Sequence, residues 1–131
     1  MKIPTRLRSA VAGVRTPKQR ADDKAEQAAQ QHLISHGCTI VARNARYREG
    51  ELDLIARERD VLIFVEVRMR SGNAYGGAAA SIDRYKQRRL VRAAQHWLLQ
   101  NKGERWPACR SDVITVDRDG TIDWIRDAFA A

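Results

Sequence analysis

Two acidic residues, Asp53 and Glu66, stand where a carboxylate needs a physical reason to be. The stretch from Gly50 to Arg70 reads Gly-Glu-Leu-Asp-Leu-Ile-Ala-Arg-Glu-Arg-Asp-Val-Leu-Ile-Phe-Val-Glu-Val-Arg-Met-Arg. Residues 61–68 are nearly all apolar and rich in β-branched and aromatic types, the pattern of a strand buried on both faces. Glu66 interrupts that run, on the face shared by Leu62, Phe64 and Arg68, and a buried carboxylate is costly unless it is paired or bound to a cation. Residues 51–57 alternate, with Glu51, Asp53 and Ile55 on one side and Leu52, Leu54 and Ala56 on the other. A hairpin centred on Arg59 and Asp60 pairs residues whose numbers sum to 119, so Asp53 faces Glu66. No Asn-Gly or Asp-Gly signal fixes that register. Like charges directly opposed on a sheet repel, and a divalent cation between them reverses the sign. Two carboxylates on Mg²⁺ can activate water and neutralise phosphoryl oxygens, which is the chemistry of phosphodiester hydrolysis.

The elements needed to position this pair are legible along the chain. Ala25, Ala28, Ala29, His32 and Leu33 recur at helical spacing and Gly37 follows, predicting a first helix over residues 19–36. His32 and His36 lie one turn apart, but no Glu follows His32 and no third ligand is evident, so packing against the sheet outweighs a zinc pair. Residues 38–44 predict a first strand, and Arg43, Arg46 and Arg48 with Tyr47 form a basic-aromatic cluster before the hairpin. Such a cluster can grip phosphates, although exposed arginines on a connection are common. The glycine-rich segment 71–80 lacks the spacing of a P-loop. Asp83 is a candidate N-cap for a long second helix whose buried stripe is Leu90, Val91, Ala93, Ala94, Trp97 and Leu98. Lys86, Arg88, Arg89 and Arg92 load its first half with positive charge, whose bland reading is a solvated basic face. Residues 112–116 and 121–125 predict two further strands around an Asp119-Gly120 turn.

Composition sets the outer bounds. A chain of 131 residues is one domain with room for a core. The net charge of +8 is unevenly spread: six of 24 basic residues lie in positions 1–20 with no acid, leaving 18 against 16 in the remainder. The expected organisation is therefore a basic, flexible arm over residues 1–18 and a single folded domain over 19–131. Such an arm contacts nucleic-acid backbone or merely solubilises the chain. No run is long and apolar enough for a membrane span, no secretory signal is evident, and Cys38 and Cys109 form no CxxC pair. Cytoplasmic placement is the default, with no membrane partner.

The acidic strand residue followed by Glu-x-Arg resembles the PD-(D/E)XK nuclease superfamily. Gly50-Glu51-Leu52-Asp53-Leu54-Ile55, Phe64-Val65-Glu66-Val67-Arg68 and Tyr75-Gly76-Gly77-Ala78 together resemble the YraN-like family of small bacterial endonuclease-like proteins, over roughly residues 20–128. The resemblance implies an α/β fold with a restriction-endonuclease-like αβββαβ core, a mixed central sheet flanked by helices, related to Holliday-junction resolvases. It adds the Val67 carbonyl to Asp53 and Glu66 as ligands of Mg²⁺ or Mn²⁺, and Glu26 as a helix-borne assistant to the site. It makes Tyr75-Gly76-Gly77 a rim of the cleft and Lys86 a polar residue presented by the second helix. Arg68 departs from the usual Lys; it cannot serve as a base but can stabilise developing charge. Arg46, Arg48, Arg70 and Lys86 are the candidates for nucleic-acid contact.

Two function classes follow from these residues and the resemblance. One is a metal-dependent nuclease cutting DNA, linear or branched, with a homodimer as the arrangement resolvases use to cut two strands. The other is a nucleic-acid-binding protein that keeps the fold with weak or absent catalysis. A scaffold without nucleic acid leaves the opposed Asp53 and Glu66 unexplained.

Overall fold

A computed structural model describes residues 14–70 and 82–130. The segment 71–81, with Tyr75-Gly76-Gly77, and residues 1–13 of the basic arm lie outside the described residues.

Helix α1 spans Pro17–Ser35. Thr16 caps it: its side chain accepts from Gln19 N–H at 3.1 Å while the Gln19 side chain accepts from Thr16 N–H at 2.9 Å. The helix thus begins two residues before the expected start and takes in the last residues assigned to the arm, and Arg15 pairs with Asp23 at 2.9 Å. Strand β1 covers Thr39–Arg46, β2 Glu51–Glu58 and β3 Val61–Arg70. Helix α2 covers Arg84–Lys102, β4 Ala108–Asp117 and β5 Ile122–Phe129. Strand β4 starts four residues before the expected Asp112, because Ala108 to Ser111 continue the parallel ladder against Val61 to Phe64.

The strands form one mixed sheet in the order β1-β2-β3-β4-β5, with only β3 and β4 parallel. The parallel step needs a crossover, and α2 lies in the chain between those two strands. Together with α1 this gives the αβββαβ order and a further strand. Each helix covers one face. Ala25, Ala29 and Leu33 of α1 pack on Leu54, Ile63, Val65 and Ile114. Leu90, Ala93 and Trp97 of α2 pack on Ile55, Leu62, Phe64 and Val113. Strand β3 is therefore apolar on both faces because both faces are covered.

Two features depart from the sequence reading. Leu52 belongs to the α2-side cluster with Ile55, not to the α1 side with Leu54 and Ala56, so the expected alternation breaks at residues 52–53. The break coincides with Asn44, whose φ of 51° puts a kink in β1, beside Ala45, which pairs with Leu52. Asn tolerates this left-handed conformation better than most residues. The second is Asp112, which is fully buried. Its carboxylate accepts from Arg110 Nε at 3.0 Å, Trp124 Nε1 at 2.8 Å and Asp127 N–H at 2.9 Å. The β4–β5 register shifts at this point, and the carboxylate satisfies donors that the interrupted ladder leaves over.

Candidate metal and phosphate site

The β2–β3 hairpin has the register expected from its turn. Ile55 pairs with Phe64 and Leu54 with Val65, and Arg59 adopts a φ of 55° at the turn. One step further lie Asp53 and Glu66. Asp53 Oδ2 accepts from the Val67 N–H at 2.9 Å, so the aspartate side chain is anchored to the backbone of β3. Glu66 is 5% exposed, and its Oε2 lies 2.8 Å from Lys86 Nζ on α2. Lys86 is set in place by the helix cap, since Asp83 Oδ1 accepts from the Lys86 N–H at 2.7 Å.

The electrostatics of this pair match the geometry. Burial pushes the Asp53 carboxyl up to about 9, helped by its hydrogen bond to Glu66 and the charge of Glu66; the Val67 N–H pulls the other way, and Glu26 adds a smaller upward push. Burial and mutual repulsion thus favour a proton retained by the Asp53–Glu66 pair. The Lys86 ammonium is paired with the buried Glu66. A second cation would let both ionise.

Around the pair is a polar cleft of about 970 Å³. Glu26 of α1 lines it, its carboxyl raised by burial and then by Glu51, Asp23 and Asp22, with Asn44 acting in the opposite direction. With its amide nitrogen turned toward them, Asn44 donates to Glu26 Oε1 at 3.0 Å and Glu51 Oε1 at 3.1 Å. Asn44 therefore ties the helix acid to the strand acid, a role that its place in the sequence did not suggest. Arg46 pairs loosely with Glu51 at 3.5 Å, and Arg68, half-buried, also lines the cleft.

The structure brings together Asp53, Glu66, Val67, Arg68, Glu26, Arg46 and Lys86. It does not bring Arg48 or Arg70 to the cleft wall. Arg70 instead reaches across to Asp123 Oδ2 at 2.5 Å, and Tyr47 of the basic-aromatic cluster turns onto α2. Its ring centroid lies 4.4 Å from that of His96, and its hydroxyl donates to Gln100 Oε1 at 3.0 Å. Arg89 also donates to the Glu49 carbonyl, so the β1–β2 connection is fastened to α2 beside the cleft. His32 and His36 stack at 4.2 Å and meet the edge of Trp124, as expected for packing.

The donor set is one of hard oxygens, which suits Mg²⁺ or Mn²⁺ rather than zinc. Among the described residues no group of three or more His, Cys, Asp or Glu side chains is arranged to hold a metal by itself. An ion between Asp53 and Glu66 would have to draw its remaining ligands from backbone oxygen and water, as Mg²⁺ commonly does.

Comparison with known proteins shows which family the chain resembles. The sequence pattern described as Uncharacterised protein family UPF0102 matches residues 25–116. A UPF0102 protein of Saccharophagus degradans is 47% identical over 106 residues, 81% of this chain and 89% of its own length. UPF0102 protein NE0719 of Nitrosomonas europaea is 49% identical over 107 residues, covering 80% of this chain and 89% of that protein. A third, from Methylobacillus flagellatus, is 47% identical over 117 residues, 87% of this chain and 99% of its own. Among the described residues no helix is long and apolar enough to cross a membrane.

Proposed function

We propose that this chain, which belongs to Uncharacterised protein family UPF0102, is a metal-dependent nuclease that hydrolyses phosphodiester bonds of DNA. The observation that carries the reading is the opposed pair: a buried Glu66 and an Asp53 pushed up to about 9 by burial and by Glu66 beside it, in a cleft also lined by Arg46, Arg68 and Lys86. A fold does not keep two such carboxyls together for stability alone, since replacing them with apolar residues would cost less.

Asp53 and Glu66, with the Val67 carbonyl, would hold Mg²⁺ or Mn²⁺. When bound, the ion supplies charge neutralisation at the phosphoryl oxygens and makes nearby water more acidic. The protein's own groups do the rest. The Val67 N–H fixes the orientation of the Asp53 carboxylate, and Lys86 does the same for Glu66. In hydrolysis a water oxygen bonds to phosphorus and gives up one proton to surrounding water, the bond to the leaving oxygen breaks, and that oxygen takes up a proton in exchange. Arg68 stays charged throughout and stabilises the negative charge that develops on the phosphoryl group. Lys86 adds a second positive charge to the cleft beside Glu66. Glu26, raised by burial, can carry a proton to or from water at the helix side of the cleft.

A second reading, a nucleic-acid binder with weak chemistry, is favoured by one observation: Lys86 already neutralises Glu66, which lowers the demand for a metal. Cleavage separates the two. Wild-type protein, Asp53→Asn and Lys86→Met are incubated with linear duplex, single-stranded and four-way-junction DNA, in Mg²⁺ or Mn²⁺ and in EDTA. Cleavage by wild type only with metal, abolished in Asp53→Asn, is the expected result. Metal-independent cleavage, or equal cleavage by Asp53→Asn, would overturn the nuclease reading; tight DNA binding without any cleavage would establish the second.

A further inference from the structure

On the side of α2 away from the cleft, Arg84, Arg88 and Arg92 line a second groove of about 710 Å³, with Gln87, Gln95 and the end of β5 at Phe129. Lys86 and Arg89 of the same helix line the cleft instead, so α2 carries positive charge on two sides. All three groove arginines are exposed, and among the described residues none has an acidic or hydrogen-bonding partner. Some arginines elsewhere are paired, Arg15 with Asp23, Arg110 with Asp112 and Glu58, and Arg126 with Glu58; what sets Arg84, Arg88 and Arg92 apart is their alignment on one side of one helix along a groove.

The arrangement opposes helix stability. Arginines four residues apart repel, and cations in the first turns oppose the helix dipole; the Asp83 cap is the one acid at that end of α2 to offset them. Spacing at i, i+4 and i+8 aligns the three side chains in a row about 12 Å long, a distance over which one strand of a duplex passes three to four phosphates at about 3.4 Å each. Glutamines border the row, and Gln side chains donate to phosphate as well. A membrane surface fits less well, because an interfacial helix inserts a broad apolar face beside its cations, whereas Phe129 packs against the core and Leu99 is the one large aliphatic of α2 that is exposed.

We propose that Arg84, Arg88 and Arg92 form a phosphate-binding track for nucleic acid, separate from the cleft on the other side of α2. The track rests on the nucleic-acid reading above but not on catalysis. It extends the footprint of the protein past the scissile site, so that α2 lies between two backbone-contacting surfaces.

The test is fluorescence anisotropy with labelled duplex DNA over a range of salt concentrations. It compares wild type, the triple variant Arg84→Gln/Arg88→Gln/Arg92→Gln, and a charge-matched control, Arg57→Gln/Arg59→Gln/Arg105→Gln. The control positions are exposed at the other end of the sheet from the cleft, by the hairpin turn and the start of β4. The track variant is expected to fold, since it loses only exposed, mutually repelling charges. Its slope of log affinity against log salt should fall by about 2.7 for three lost phosphate contacts, with an affinity loss of about tenfold or more at low salt. The control should keep the wild-type slope. Equal slopes for wild type and the track variant would overturn the track while leaving the cleft reading standing. Equal losses in track variant and control would reduce it to net charge and overturn it too. Failure of the wild type to bind any DNA would sink both readings. Loss of binding to anionic phosphatidylserine vesicles with DNA binding intact would reassign the row to lipid.

Discussion

Asp53→Asn should make the metal-free protein more stable at neutral pH, although it removes a residue placed at the centre of the site. The sign follows from linkage. The Asp53 carboxyl ionises near 3.8 in an unfolded chain and is pushed up to about 9 in the fold. Between those values the unfolded state releases the proton and the native state retains it, so stability falls as pH rises through that window and levels off above it. At pH 7 the gap from 3.8 is worth roughly 4 kcal/mol at about 1.4 kcal/mol per pH unit, an upper bound for two coupled carboxyls. Asparagine removes this penalty: its carbonyl can keep the Val67 N–H, and its amide can donate to Glu66. Thermal unfolding in EDTA between pH 4 and pH 9 is the assay. The variant should match wild type near pH 4 and exceed it increasingly toward pH 9, by on the order of 10 °C at pH 7. An Asp53→Asn protein less stable than wild type at pH 7 to 8, or a difference that does not change with pH, would refute the buried shared-proton description.

Other perturbations test neighbouring parts of the structure. Lys86→Met takes the ammonium from buried Glu66 and should lower stability by about 1–2 kcal/mol, less than for a fully buried pair because Lys86 is partly solvated; urea unfolding would register it. Asp112→Ala leaves Arg110, Trp124 and the Asp127 N–H without their shared acceptor, and a loss of about 3 kcal/mol is expected by the same measurement. In Asn44→Ala the Glu26 carboxyl loses the one hydrogen bond that holds it down, so carboxyl-carbon NMR should find it titrating higher than in wild type. An unchanged or lower value would mean that the Asn44 bridge does not form.

The hairpin was legible because its physics is local. A two-residue turn joining two strongly β-forming runs leaves one register that buries Leu54, Ile63 and Val65 together, and that register carries Asp53 to Glu66. The core faces were legible for the same reason, from the helical spacing of Ala25, Ala29 and Leu33 and of Leu90, Ala93 and Trp97. Contacts made by chance of tertiary placement were not. Asn44 reads as the end of a strand, and its bridge between Glu26 and Glu51 depends on a left-handed kink that no local signal announces. Asp112 looks like an ordinary strand-edge acid until β5 brings Trp124 and Asp127 to it. Arg70 was also beyond local reading: its place after Arg68 suggests a phosphate contact, and its ion pair with Asp123 comes only from the folded sheet. Lys86 was expected at the site from the resemblance, but its ion pair with Glu66 emerges only from the packing of α2.

The most direct measurement is calorimetric titration of Mg²⁺ and Mn²⁺ into wild-type protein and into Asp53→Asn/Glu66→Gln, with DNA absent and then present. Saturable binding by wild type, releasing close to one proton per ion at pH 7 as Asp53 ionises and lost in the double variant, is the expected result. No metal binding by wild type in either condition, or identical binding by the double variant, would contradict a cation site on these two carboxylates.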